Sequence, residues 1–315
     1  MAFEERPDFA QPIARNGYAW WYVDAFSDDG LHGLTLIAMI GSVFSPYYAR
    51  ARRNGQGDPE NYCALNVALY GKGGNRWALT ERGRGQLNRE TTTLAIGPSA
   101  LRWDGSGLTV KIAEITVPLP RRIEGTVRLF PSATVAQSFT LADHGQQTWR
   151  PIAPVARVEV DLPRPGLRWS GHGYSDWNSG STPLEDAFKG WNWSRASSAA
   201  GTTILYDGSR RHEDDFSLAL RIDAKGRIET LVPPPTARLP PTPVWRIARE
   251  TRSDRDSTAH VIKTLEDTPF YSRSMVQSLI GGVPVTGMHE SLSLDRFDTR
   301  WVQTLLPFRM PRRTW

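Results

Sequence analysis

A single cysteine in 315 residues, Cys63, rules out an internal disulfide, a thiolate zinc cluster and a CxxC redox pair, so the fold must stand on packing alone. Charge of one sign is also scarce. The 38 basic and 33 acidic residues give +5 with the histidines neutral, spread along the chain without a polybasic arm. No nucleic acid is therefore expected as a partner, whereas a mildly basic surface suits the anionic face of a membrane. Long hydrophobic runs are missing too. The longest, LTLIAMIGSVF at 34–44, has 11 residues; a helix needs about 20 to span a bilayer, so the run predicts a buried strand pair. The segment MAFEERPDFAQPIARNG holds acids and prolines but not the apolar stretch of a secretory signal, and a cytoplasmic location is expected. No GxSxG elbow, HExxH pair, phosphate-binding GxxxxGKS/T loop or dinucleotide glycine fingerprint occurs. The six histidines stand far apart, and no metal site is expected. The glycine-rich stretches GKGGNRW and ERGRGQLN lack the strand-to-helix setting of a phosphate cradle and read as turns.

What the chain does have is tryptophan, twelve in all, and hydrophobic alternation of period two broken by frequent turn signals. That combination predicts an all-β fold. In ALRWDGSGLTVKI the stretch Asp104–Gly107 turns one short strand into another. Phe216, Leu218, Leu220 and Ile222 alternate with smaller or polar residues before DAKG turns the chain into RIETLV. Further strands are predicted over 18–26, 62–70, 124–130, 155–161 and 202–207, as a meander of sequential neighbours. Prolines cluster at 117–120, 163–165 and 233–243, and TWRPIAPVARVEV reads as a link between two strand-rich halves. The expected domains are 1–155 and 156–315, each long enough for a sheet curled into an up-and-down barrel with room for an apolar ligand. Helix is scarce. The best candidate is 290–306, where Leu294, Phe297, Trp301 and Leu305 follow helical spacing.

Residues 149–193 concentrate the side chains that could do chemistry: Trp149, Trp169, His172, Tyr174, Asp176, Trp177, Asn178, Glu185, Asp186, Trp191 and Trp193. On a strand, His172, Tyr174 and Asp176 share one face, which would set an acid among rings on a barrel wall. The same residues also fit a plainer role, with Asp176 in a turn contact, Tyr174 closing a loop, and Trp191 and Trp193 in the core.

Four long segments carry a resemblance that covers nearly the whole chain: GYAWWYVDAFSDDGLHGLTLIAMIGSVFSPYYARARR, NYCALNVALYG, GHGYSDWNSGSTPLEDAFKGWNWSRA and HESLSLDRFDTRWVQTLLPFRMPRR. The sequence resembles the bacterial carotenoid 1,2-hydratases, or hydroxyneurosporene synthases. The resemblance implies a lipocalin-like β fold. It also implies cofactor-independent addition of water across the terminal C1–C2 double bond of an acyclic carotenoid such as neurosporene or lycopene, giving a tertiary alcohol. By position, the family's proton donor falls on Asp176 and its aromatic partners on Tyr174 and Trp149. The family pattern has a histidine two residues before that tryptophan, where this chain has Gln147; His144 and His172 are the available substitutes. Ser175 and Trp177 are further local departures.

The chemistry fits these residue types. An isolated alkene is a weak base, so its protonation needs an un-ionised acid, and burial among rings opposes the charged form of a carboxyl. Protonation at C2 leaves a cation at C1 that aromatic faces stabilise. Asp176 is then the donor, Trp149 and Tyr174 the stabilising rings, and His172 or Asn178 the holder of the water. Trp177, Asn178, Trp191 and Trp193 are the expected substrate contacts. A carotenoid lives in the bilayer, and RFDTRWVQTLLPFRMPRRTW mixes apolar and arginine residues as an interfacial anchor does. A peripheral place on the cytoplasmic or photosynthetic membrane is expected, near other enzymes of carotenoid biosynthesis. The competing readings are a lipocalin-like carrier that binds an isoprenoid unaltered and, more remotely, a carbohydrate-active β protein with Glu185 or Asp186 as second carboxylate. A carrier gains nothing from burying a carboxylate.

Overall fold

The computed structural model describes residues 6–72, 75–254 and 259–313. Two compact units emerge, one formed by Met1–Pro183 with Thr304–Trp315 and the other by Leu184–Gln303. The first contains β1 (Tyr18–Ser27), β2 (His32–Ile40), β3 (Cys63–Gly71), β4 (Arg76–Arg82), β5 (Leu87–Glu90), β6 (Thr93–Ile96), β7 (Ser99–Trp103), β8 (Leu108–Ile115), β9 (Arg122–Pro131), β10 (Phe139–Ala142), β11 (Gln147–Arg164) and β12 (Leu167–Gly180). The second contains β13 (Phe188–Ser198), β14 (Gly201–Arg210), β15 (Phe216–Ile222), β16 (Ile228–Thr230), β17 (Thr236–Leu239), β18 (Arg249–Arg252), β19 (His260–Asp267), β20 (Tyr271–Ile280) and β21 (Val283–Ser293). The chain then returns to the first unit, where β22 (Arg312–Arg313) lies parallel to β4. The all-β expectation holds.

The expected boundary near 155 falls inside β11, a strand of 18 residues, and the division comes instead after Pro183. Pro151 and Pro154 look like a linker in sequence. In the structure they sit where β11 shifts register against β12, between Arg150 and Ala153 and again between Ala153 and Ala156. Proline cannot donate to a ladder, and a bulge is one of the few places a strand tolerates it.

In the first unit the strands run in the order β4-β3-β2-β1-β12-β11-β9-β8-β7-β6-β5. Two antiparallel runs of strands are joined at a long-range seam, β1 against β12, and β11 pairs β9 with β10 set aside as a short partner of β11. The sheet curls so that β4 comes against β8, and the curl is filled. Trp21, Val23 and Ala25 of β1, Leu34 and Leu36 of β2, Leu65 and Val67 of β3, and Val110, Ile112, Val127, Val158 and Val160 from the other run form one continuous apolar core. The interior is thus packed with side chains, as in small barrels, contrary to the ligand-sized space expected there. The predicted hairpin of β7 and β8 is present, its turn tied by the Asp104 carboxylate accepting from the backbone N–H of Ser106 and Gly107. The run 34–44 is not a strand pair: β2 ends at Ile40, and Gly41, at φ 67°, begins the turn that follows.

The second unit is a seven-stranded antiparallel sheet in the order β16-β15-β14-β13-β21-β20-β19, with β17 and β18 as a separate two-stranded ribbon. Its buried residues include Arg195, Arg249, Arg273 and His289. Arg273 is matched by Glu266 and by Glu290, the latter at 2.8 Å. The helix expected over 290–306 begins late and is interrupted. Residues up to Ser293 belong to β21, followed by the short helices α1 (Leu294–Phe297) and α2 (Arg300–Leu305). Leu294 and Phe297 are buried, whereas Trp301 and Leu305 are exposed, so the four spaced residues do not form one face.

Candidate active site

The seam between β1 and β12 positions the Asp176 cluster. Its register sets Tyr22 opposite Asp176, Asp24 opposite Tyr174 and Trp20 opposite Asn178. On the far side of β12, Trp149 of β11 lies opposite Asn178. Because side chains alternate between faces, and Trp21, Val23 and Ala25 enter the core, this set projects from the other face of the sheet. That face is buried as well: Tyr22, Asp24, Trp149, Tyr174, Asp176 and Asn178 are each no more than 5% exposed.

Three neutral donors converge on the Asp176 carboxyl. Trp149 Nε1–H and the Tyr174 hydroxyl both donate to Oδ2 at 2.9 Å, and the Asn178 amide donates to Oδ1 at 3.1 Å. Neighbouring rings fix the donors. Phe139 lies 5.4 Å from Trp149, and Tyr22 meets Tyr174 edge-on at 6.2 Å. Burial raises the Tyr174 pKa well above that of a free phenol, and the charges of Asp176 and Asp24 push it the same way. Tyr174 is therefore a neutral hydrogen-bond donor at physiological pH.

Asp24 is a functional candidate that sequence reasoning missed. It is fully buried, and the Tyr22 hydroxyl donates to its Oδ2 at 3.0 Å. The signal was present, since Tyr22-Val23-Asp24 repeats the spacing of Tyr174-Ser175-Asp176. In the antiparallel seam the two motifs face each other head to tail, each tyrosine opposite the other's aspartate.

Other expected residues lie elsewhere. Trp177, one residue from Asp176, points to the opposite face, where it packs against the core and the Arg150 guanidinium sits 5.7 Å from its ring. The period-two alternation removes it from the Asp176 cluster. His172 shares the Asp176 face but lies four residues along β12, roughly 13 Å away at strand rise; its side chain is 67% exposed, with Nε2 3.7 Å from Asp28. His144 is also exposed. Gln147 is buried, accepts from the Tyr18 hydroxyl, and has its amide 3.4 Å from Thr182 Oγ1. A neutral amide thus stands where the resemblance led to the expectation of a histidine. Trp191 and Trp193 belong to the second unit. Trp191, edge-on to Phe188 and Tyr206, helps line an open cleft of about 800 Å³ with Phe216, Glu250 and Arg252. Trp193 is buried on β13. Among the described residues, no three His, Cys, Asp or Glu side chains gather in a way that could hold a metal ion.

Comparison with known proteins bears on the fold and the family. Among solved structures, an AttH protein from Nitrosomonas europaea aligns with a TM-score of 0.61 at 14% identity, covering 91% of this chain and 99% of that one. Kievitone hydratase from Nectria haematococca aligns at 0.56 and 13%, covering 93% and 97%. At such identities the likeness concerns the fold alone, and it makes the curled sheets lipocalin-like. Sequence relatives are much nearer. The acyclic carotenoid 1,2-hydratase of Thiocapsa roseopersicina is 58% identical over 306 residues, 97% of this chain and 76% of that protein. Its counterpart from Rubrivivax gelatinosus is 49% identical over 310 residues, 98% and 76% respectively. The family model described as Carotenoid hydratase CrtC matches residues 36–315, and with relatives at that identity over almost the whole chain, this protein belongs to the carotenoid hydratase family.

Proposed function

We propose that this chain is a hydro-lyase that adds water across the terminal C1–C2 double bond of an acyclic carotenoid, without a cofactor, through a carbocation generated by Asp176. The observation that carries the reading is a buried carboxyl ringed by an indole N–H, a phenol and an amide. All three are neutral, and two bring π faces. Asp176 delivers a proton to C2. The cation at C1 is stabilised by Trp149 and Tyr174, since an aromatic face contributes about 0.5–2 kcal/mol toward a nearby cation. Asn178 adapts to both states of the acid: its N–H group meets a carboxylate, and after an amide flip its carbonyl accepts from a carboxylic O–H. Water captures the cation and yields the tertiary alcohol. Purified protein incubated with lycopene in liposomes should convert it to a product heavier by one water. Bound lycopene of unchanged mass would overturn the reading in favour of a carrier.

An apolar substrate requires access to a bilayer, and the reading includes peripheral membrane association. Supporting it, Leu305 and Phe308 are exposed, at 39% and 74%, beside exposed Arg309, whose guanidinium sits over the Trp77 ring. Other parts of the same segment serve the fold, with Leu306 and Met310 buried and Arg312 paired with Glu81; Thr314 and Trp315 lie outside the described residues. No helix among the described residues is long and apolar enough to cross a membrane. Phe308→Asp should reduce the fraction of protein that floats with anionic liposomes while leaving the melting temperature unchanged. Undiminished flotation would count against this anchor.

A further inference from the structure

We infer that Asp24 is the catalytic base of the same reaction, taking the proton from the water that captures the cation, and that Tyr174 returns this proton to Asp176. The inference rests on the hydratase reading above and adds the second half of its proton cycle.

Three observations carry it. The first is the paired Tyr-x-Asp motif across the seam, in which Tyr22 donates to Asp24 at 3.0 Å as Tyr174 donates to Asp176 at 2.9 Å. The second is the register: Tyr174 stands opposite Asp24 on the neighbouring strand while its hydroxyl reaches Asp176, and the charge of Asp24 is felt at the phenol, so Tyr174 neighbours both aspartates. The third is Thr35 on β2, directly opposite Asp24 on the same face. Thr35 is fully buried, and its Oγ1 has no hydrogen-bond partner among the described residues. A buried hydroxyl is costly to leave unmatched. A hydroxyl and a carboxylate side by side are what a nucleophilic water needs, one to orient it and one to receive its proton.

Two buried carboxyls this close resist ionising together, so the pair is best served by holding one proton between them. In the resting state Asp176 holds it and Asp24 is the carboxylate. The O–H bond of Asp176 breaks as a C–H bond forms at C2. Water forms the C–O bond at C1, and one of its O–H bonds breaks in favour of Asp24. Protonated Asp24 then donates to the Tyr174 oxygen as the Tyr174 hydroxyl proton passes to Asp176. The net change is one water added to one alkene, with both aspartates and the tyrosine restored. The neutral state of Tyr174 suits this relay, because an ionised phenol could not donate onward.

The test compares Asp24→Asn, Asp24→Glu and Asp176→Asn with wild type, using lycopene in liposomes prepared in D2O. Two products are read: the alcohol, and deuterium at C2 of recovered lycopene, which reports protonation followed by reversal. Asp24→Asn should lower alcohol formation by about 10²-fold or more, the usual weight of a general base, while deuterium still enters C2. Asp176→Asn should lose both. Asp24→Glu, which keeps a carboxylate, should recover part of the alcohol and guards against an amide that merely loosens the fold. Alcohol formation near the wild-type rate in folded Asp24→Asn would overturn the assignment, as would loss of alcohol and exchange together. Either result leaves the role of Asp176 standing. Wild-type protein that yields neither alcohol nor exchange would instead refute the hydratase reading itself.

Discussion

Asp176→Asn should cut carotenoid hydration by about 10²–10⁴-fold, the range over which a positioned general acid acts, while the protein stays folded. The substitution keeps the shape of the side chain and removes only its capacity to carry an acidic proton. The remaining amide oxygen can still accept from Trp149 and Tyr174, which both converge on Oδ2 in the native site. Its new N–H group faces Asn178, whose amide can flip to present a carbonyl. One neutral hydrogen bond is exchanged for another across that pair, so little stability is expected to be lost. Loss of rate without loss of folding separates chemistry from scaffolding, and a variant that hydrates lycopene near the wild-type rate would rule out Asp176 as the donor.

The second large effect concerns the rings. Trp149→Leu removes a π face and an N–H donor together, and kcat should fall about 30-fold, the equivalent of roughly 2 kcal/mol, with KM little changed. The reason is timing: positive charge exists only after C2 is protonated, so an aromatic face lowers the transition state and leaves the neutral polyene almost unaffected. Trp149→Phe retains a ring against Phe139 and should fall between wild type and Leu. Tyr174→Leu likewise removes both a ring and a donor to Asp176, so a loss of similar size is expected. Trp149 is 1% exposed and Tyr174 is fully buried, so each Leu variant also needs a thermal melt before its kinetics are read. A rise in KM with kcat preserved would mean that the rings only grip the substrate.

Much of this could be read from the sequence because it depends on local pattern. Alternation exposed several strands, among them β1, β3, β9, β14 and β15, and Asp104–Gly107 with its short-range hydrogen bonds exposed a hairpin. The Asp176 cluster was half legible for the same reason. Tyr174, Asp176 and Asn178 lie at i, i+2 and i+4 of one strand and must share a face. Which face was not legible. The answer depends on the pairing of β1 with β12, strands about 150 residues apart in a chain whose other pairings in that sheet are mostly sequential. Without that seam nothing marks Asp24 as the companion of Asp176, although alternation along β12 already turns Trp177 to the opposite face. The interior expected to hold ligand is instead the apolar core, and the Asp176 cluster lies on the reverse of the same sheet. Two other errors have simple physical sources. Prolines suggest a linker until a bulged strand accommodates them, as Pro151 and Pro154 show. Helical spacing over a short stretch can arise where a strand gives way to single turns, as at Leu294 and Trp301.

The central claim is that the carboxyl of Asp176 holds a proton in the resting enzyme at neutral pH, and the infrared difference spectrum of wild type against Asp176→Asn examines it directly. A protonated carboxylic C=O stretch that vanishes in the variant and shifts in D2O is the expected result. A carboxylate band lost in its place, with no acid band anywhere in the difference, would contradict the claim.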